Sequence, residues 1–420
     1  MYNNSLMARK AFFDILQKEL DRIDSIKTSK RHERIIDSFT KDPSPKAIIN
    51  GKEINIFNSN DYLGLRHNPK VKKAEAEASE KFGAGPGAVR FISGSLKIHR
   101  DLEKKIAAFH NRDDGMIFSS AFAANMAVMF CLIVGQSKDS VVDNDVLVLS
   151  DALNHRSIID GIRIANHPKE KKGIFEHMNA DDLAKLLEEG KTLHKRALVV
   201  TDGVFSMLGE FQKLKEIREV VDRYDSEYEQ GVLLVVDDAH GVGAVGDTGR
   251  GVEEVEDAQA DVLIGTFGKA FGADGGYIVA KQTIIDYLRE SAATYIYSNP
   301  FAPGTAGAAL KSLEIIDEQE GKELLKKSKA NTNYFKENMK KAGFTFAADS
   351  SHPIQPVLIG DPVKTRALVD FLFSKNFLVT NISYPVVPKG ADEIRVQLSA
   401  SHTREDIDEL IQGFKESNTS

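Results

Sequence analysis

The residues with the most chemistry to offer lie in Thr266-Phe267-Gly268-Lys269-Ala270-Phe271-Gly272-Ala273-Asp274-Gly275-Gly276-Tyr277, directly after the apolar run Asp261-Val262-Leu263-Ile264-Gly265. Glycines on both sides of Lys269 place it where a buried strand empties into a tight turn. An ammonium costs free energy to bury, and the cost falls if the amine is neutral or condensed with a carbonyl as a Schiff base. The chemical reading is a lysine that holds pyridoxal phosphate (PLP), with Thr266 offering a hydroxyl to the phosphate. A loop lysine in a glycine-rich turn has the same local pattern, so residues elsewhere must decide.

Such a lysine needs an acid to keep the pyridine nitrogen protonated, because that charge makes the ring an electron sink. Asp237 closes the apolar run at 232–236 and suits this role. His155, in Ser150-Asp151-Ala152-Leu153-Asn154-His155-Arg156-Ser157, can stack over the ring, and His240 can bond its phenolic oxygen. The phosphate needs backbone donors at a helix start. Ser119-Ser120-Ala121-Phe122-Ala123-Ala124-Asn125 supplies a strand-to-helix turn of mostly small residues. Each of these alone is also what a cap or a core histidine looks like.

The elements that must position these groups follow from periodicity. Short β-rich runs at 115–118, 146–149, 197–201, 232–236, 262–264 and 277–280 are separated by helix-length segments. Apolar strands without alternation, joined by helices, predict a mostly parallel sheet covered on both faces. Ligands in such sheets collect at the carboxyl ends of the strands, where Asp151, His155, Asp202, Ser206, Asp237, His240 and Lys269 all fall. Before the sheet, an amphipathic helix precedes a β-hairpin turning at Asn50-Gly51. The glycine-rich 83–95 segment reads as a shaped loop. A long helical stretch at 304–343 leads to a smaller α/β unit with strands at 353–359 and 394–399. The division expected is a helix and hairpin over 1–57, a large cofactor-binding domain over 58–300, and a bridging helix with a small domain over 301–420.

Composition removes several classes of function. The chain has 420 residues, 42% of them hydrophobic, and a net charge of -7, so no basic field for nucleic acid is present. A single cysteine, Cys131, excludes an intrachain disulfide and a cysteine-rich metal site, and no metal is expected. No stretch reaches the roughly 18 apolar residues of a membrane span, and no targeting segment opens the chain, so the expected compartment is the cytoplasm.

With these residues in place, the chain resembles the α-oxoamine synthases, fold-type I PLP enzymes that condense an amino acid with an acyl-CoA. The likeness spans nearly the whole chain. It rests on Asn60-Asp61-Tyr62-Leu63-Gly64-Leu65, Val89-Arg90-Phe91-Ile92-Ser93-Gly94, Leu153-Asn154-His155, Thr201-Asp202-Gly203-Val204-Phe205-Ser206-Met207, Asp237-Asp238-Ala239-His240-Gly241, the lysine stretch, and the 395–403 segment beginning Arg395-Val396-Gln397. The resemblance implies that Lys269 holds the cofactor and moves the proton, that Asp237 pairs with the pyridine nitrogen, and that His155 stacks on the ring. It implies Ser206 and His240 at the ring oxygen, and Thr266 with the backbone of Ala121 and Phe122 at the phosphate. Ser298 would reach over from a partner subunit of a homodimer. Arg395 would clamp the amino-acid carboxylate, assisted by Asn60; a planar bidentate donor suits that task. Val89-Arg90-Phe91, Ile158-Ile159-Asp160-Gly161, Tyr297-Ser298-Asn299 and the 384–390 motif resemble the branch that joins glycine to acetyl-CoA. Asp274 and Pro86 depart from the family's pattern, which leaves longer acyl-CoAs with serine or alanine open.

Two readings of other classes compete. Gly241-Val242-Gly243-Ala244-Val245-Gly246 matches a dinucleotide-binding fingerprint of a dehydrogenase. However, Asp237 to His240 separate it from the strand, and Gly249 and Gly251 fall where a helix should begin, so a tight turn accounts for it better. A catalytically inactive subunit of the same fold is the third reading, and the joint presence of Lys269, Asp237 and His155 weighs against it.

Overall fold

A computed structural model describes residues 2–25, 29–31, 33–41, 44–137, 139–384 and 386–417, with only the backbone of 2–8. Pro385 of the 384–390 motif lies outside these residues.

A seven-stranded sheet organises the larger part of the chain. Its strands run in the order Asp114–Phe118, Gly276–Ala280, Val262–Thr266, Val232–Asp237, Arg196–Asp202, Val146–Asp151 and Lys172–Phe175. Gly276–Ala280 is antiparallel to both neighbours, and the other pairs from Val262–Thr266 to Lys172–Phe175 are parallel. The inner strands are apolar throughout because helices cover both faces, leaving no solvent side to favour polar residues. Two core clusters result, one on each side of the sheet.

The register fixes the site. Asp202 lies opposite Asp237, and Asp237 opposite Ile264, so the strand ends carrying Asp151, Asp202, Asp237 and Thr266 share one edge. The Lys172–Phe175 strand is not visible in the sequence pattern. It is a short edge strand with only Phe175 buried, so nothing in it demands an apolar run.

The C-terminal part holds an antiparallel sheet in the order Ile354–Leu358, Glu393–Gln397, Thr380–Ile382. Val357, Ile394 and Val396 pack from one face into a cluster with Phe335, Leu368 and Phe414 of the covering helices Gln319–Lys341, Pro362–Ser374 and Arg404–Ser417. The expected hairpin forms from Ala47–Ile49 and Lys52–Ile56, with Asn50 at φ 52° and Gly51 at φ 74° as the turn demands. Lys52–Ile56 then pairs in parallel with Phe377–Leu378, so the start of the chain is completed by its end.

Two expectations need adjustment. The 304–343 stretch is two helices, Pro303–Asp317 and Gln319–Lys341, broken at an extended Glu318. Gly321 permits the break, because a Cβ there would lie 2.4 Å from the Ile316 backbone. Within the 83–95 loop, Arg90–Gly94 winds as a π-helical turn, anchored by the buried Arg90 guanidinium on both oxygens of Glu103 at 3.0 and 3.2 Å. The 241–246 glycines form turns with no helix until the short Val252–Glu256. Gly241 and the later Gly251 close on the buried Asp238 carboxylate, where a Cβ on Gly241 would sit 2.1 Å from its Oδ1 and one on Gly251 1.9 Å from its Oδ2.

Cys131 is buried in the helix Ala121–Val134. Among the described residues no helix is long and apolar enough to cross a membrane.

Candidate active site

Lys269 lies three residues past the Val262–Thr266 strand in a turn held by Gly272 N–H to Lys269 O (2.8 Å), Phe267 N–H to Gly275 O (2.9 Å) and Ala273 N–H to Phe267 O (2.9 Å). The Asp274 carboxylate accepts the Gly275 N–H at 2.7 Å from an exposed position, so this departure from the family pattern caps the lysine turn. The Lys269 amine makes no hydrogen bond or ion pair with any described residue. Burial pulls it down to about 8, while the Asp237 and Asp202 carboxylates hold it up. An amine tuned this way is available as a nucleophile and as a base near neutral pH.

Asp237 is buried at the end of its strand, with Oδ1 accepting the Ala239 N–H (3.0 Å) and Oδ2 accepting Asn125 Nδ2 (2.5 Å). The same Asn125 Nδ2 reaches Ser157 Oγ (3.0 Å), which meets His155 Nδ1 at 2.7 Å. A chain of bonds thus sets the acid and the imidazole relative to each other. Asn125 escaped the sequence reading as a site residue. Its signal was its place one turn after Ala121 on the helix that begins beside the sheet edge.

His155 caps the helix Arg156–Ile164, and its backbone N–H donates to Asp202 Oδ1 at 3.2 Å. Burial lowers the His155 imidazole against the pull of Asp237, and burial together with the Asp237 charge holds the Asp202 carboxyl well above its ordinary range. Next to them, His240 Nδ1 meets the Tyr62 hydroxyl at 2.8 Å, and burial followed by the Lys269 charge keeps that imidazole neutral. Asn60 Oδ1 accepts from Tyr62 at 3.3 Å and also from Gln397 Nε2.

Arg395 enters from the smaller sheet. Its Nη1 donates to the Ser206 carbonyl at 2.7 Å, while its buried Nε has no partner. The Arg395 charge bears on Lys269, His240 and Tyr62, so this arginine joins the cluster electrostatically. Ser298 is not brought to it. It sits between the helices Ala293–Ile296 and Pro303–Asp317, with its hydroxyl on the Asn299 carbonyl.

Behind the site, the Asp151 carboxylate accepts from His177 Nδ1 (2.9 Å), Leu153 N–H, Met178 N–H and Gln212. Burial alone would lower the His177 imidazole, but its bonds to Asp151 and Glu210 overcome this and hold it at about 9. A raised value means that the imidazolium stabilises the fold fully below the unfolded value near 6.5 and that this is lost as pH rises through about 9. Chemical denaturation of His177→Gln against wild type should give a gap that is widest near pH 6 and shrinks toward pH 9. A gap independent of pH would contradict the assignment.

Comparison with known proteins decides what this arrangement belongs to. The model of the aminotransferase class I and II family matches residues 52–414. The 8-amino-7-oxononanoate synthase of Thermosipho melanesiensis is 39% identical over 370 residues, 88% of this chain and 89% of that one. The mitochondrial 2-amino-3-ketobutyrate coenzyme A ligase of Bos taurus is 39% identical over 410 residues, 96% and 91% of the two chains. A solved structure of SPT with its PLP internal aldimine superposes with a TM-score of 0.85 at 26% identity, covering 97% of this chain and 98% of the other. The chain belongs to the α-oxoamine synthases, within the class I and II aminotransferase family.

An α-oxoamine synthase is an acyltransferase of fold type I whose cofactor is PLP. The residues present here fit that group on their own chemistry. This α-oxoamine synthase has at Lys269 a half-buried amine without a hydrogen-bond partner among the described residues, and a helix start at Ala121 and Phe122 whose backbone N–H groups find no acceptor among them. That helix start is pressed close to the sheet, since a Cβ on Gly276 would lie 2.3 Å from Ala121 N. Thr266 is placed for the same end of the site, but its hydroxyl donates to the Gly275 carbonyl at 2.8 Å and accepts the Gly268 N–H at 3.1 Å. Its proton is therefore committed to the backbone, and it would have to rotate to donate to a phosphate. Phe122 is exposed, and its ring meets that of His155 edge-on at 6.5 Å.

Proposed function

We propose that this α-oxoamine synthase condenses glycine with acetyl-CoA, giving 2-amino-3-oxobutanoate and CoA. The observation that carries the amino-acid half is Arg395, a largely buried guanidinium with an unpartnered Nε beside the lysine cluster. A cation left with a free donor in that setting calls for an anionic, planar ligand, and an α-carboxylate meets both requirements. The acetyl half is supported by the likeness to the bovine 2-amino-3-ketobutyrate coenzyme A ligase, which runs over 96% of the chain. The equal identity to 8-amino-7-oxononanoate synthases favours, as a second reading, a longer acyl-CoA with alanine.

Bound PLP supplies a sink for the electron pair left at the amino-acid α-carbon when its proton departs. Lys269 would hold the cofactor through its amine and then take that α-proton, a role its lowered basicity suits. Asp237, fixed by Asn125 and Ala239, would keep the proton on the ring nitrogen. His155 would lie against the ring face, and His240 with Ser206 would bond its phenolic oxygen. The Ala121 and Phe122 N–H groups, aided by Thr266, would hold the phosphate at the positive end of their helix. Arg395, with Asn60 beside it, would orient the substrate carboxylate. We also propose a homodimer in which Ser298 serves the neighbouring site, a large domain over 58–300 with a small one over 301–420, and a cytoplasmic location.

CoA release measured with glycine, serine and alanine against acetyl- and palmitoyl-CoA tests the substrate assignment. Glycine with acetyl-CoA should give the highest kcat/KM. A higher value for alanine or serine with the long-chain thioester would replace this reading by the second.

A further inference from the structure

Glu393 is a buried charge that nothing above uses. It is fully buried, and neither carboxylate oxygen has a hydrogen-bond partner. It stands two residues before Arg395 in the Glu393–Gln397 strand, and alternation puts both on the same face, about 7 Å apart along the backbone. Ile394 and Val396 point the other way, into the core of the smaller unit. Within the sheet, Glu393 lies opposite Leu358 and Ile382, and Arg395 opposite Pro356 and Thr380, so no charged neighbour flanks either one. From the large-domain side, the titratable groups that face the clamp are Tyr62, His240, His352 and Lys269, each of which feels the Arg395 charge. The charge that bears on Glu393 is that of Arg395.

We infer that Glu393 is a positioning residue that competes with the substrate's α-carboxylate for Arg395, so that amino-acid binding is linked to a proton on Glu393. The inference rests on Arg395 being the carboxylate clamp. Burial lifts the Glu393 carboxyl to about 8 against the pull of Arg395. Below that value the side chain is neutral, Arg395 keeps its full charge, and an anionic substrate is held. Above it the ionised carboxylate partly cancels Arg395 and repels a second anion in a water-poor site. A bound carboxylate also raises Glu393 further, so binding near pH 8 draws a proton from solvent onto Glu393.

The test is a titration of the holoenzyme with glycine, followed by the change in cofactor absorbance at about pH 7 and about pH 9.5, together with calorimetry near pH 8 in two buffers of different ionisation enthalpy. Wild type, Glu393→Gln, Glu393→Met and Arg395→Ala are compared. Titration of the glycine amine and of Lys269 is common to wild type and the Glu393 variants, so the difference between them isolates Glu393. Between the two pH values the wild-type Kd should rise about tenfold more than that of Glu393→Gln. Calorimetry should show proton uptake in wild type that either Glu393 variant reduces. The same pH profile and proton count in wild type and both Glu393 variants, with Arg395→Ala still weakened, would overturn the role of Glu393 alone. Wild-type affinity in Arg395→Ala at both pH values would instead remove the clamp, and the inference with it.

Discussion

Lys269→Ala is expected to abolish turnover and to remove the visible absorption that PLP shows when attached to the protein. The size of the effect follows from losing two roles at once. Proton transfer by a positioned base accounts for about 10²–10⁴-fold by itself, and the covalent hold on the cofactor disappears with the same atom. The fold should survive, because the Lys269 amine has no hydrogen-bond partner that truncation would strand, and burying a smaller apolar side chain there relieves the cost that holds its basicity down. The thermal midpoint without cofactor should therefore stay near that of wild type. Retained turnover in Lys269→Ala would remove the lysine from the chemistry.

Asp237→Asn should cost about a hundredfold or more in kcat, in the range found when one preorganised polar group is taken from a catalytic site. An amide in this place cannot hold a proton on a ring nitrogen by charge. It also sets its own N–H₂, or that of Asn125, against a donor, since the carboxylate now accepts from both Asn125 and Ala239. A second readout separates charge from packing. Asp202 is held above its ordinary range by burial and then by the Asp237 charge, so in Asp237→Asn the Asp202 carboxyl should ionise at a lower pH. The pH dependence of the cofactor's absorbance then moves with the substitution. Undiminished turnover would contradict the pairing of Asp237 with the ring.

Lys269 and Asp237 stand out in the sequence as candidates because one sits in a glycine turn and the other at the end of an apolar run, where a titratable residue is conspicuous, whereas His155 stands out only as a histidine shortly after the 146–149 run. The sheet was legible for the same reason, since inner strands buried on both faces need unbroken apolar runs. The Lys172–Phe175 strand was not, because an edge carries no such demand. Asn125 and Ser157 were hidden since a polar residue on a helix has many bland explanations, and only folding reveals that they join Asp237 to His155. Gln397 meets Asn60 from 337 residues away, and Arg395 meets Ser206 from 189 residues away. Contacts of that span leave no periodic trace. Glu393 looks like an ordinary strand residue until its isolation beside Arg395 is seen. The break at Glu318 was masked because apolar spacing continues through it, while the backbone approach at Gly321 is a three-dimensional matter.

The Lys269 amine is expected to be the point at which the cofactor joins this chain. Purified protein incubated with PLP, reduced with borohydride and digested for peptide mass mapping tests it most directly. A single pyridoxyl-modified peptide is expected, with the label on Lys269. No label, or a label on another lysine with Lys269 unmodified, would contradict it.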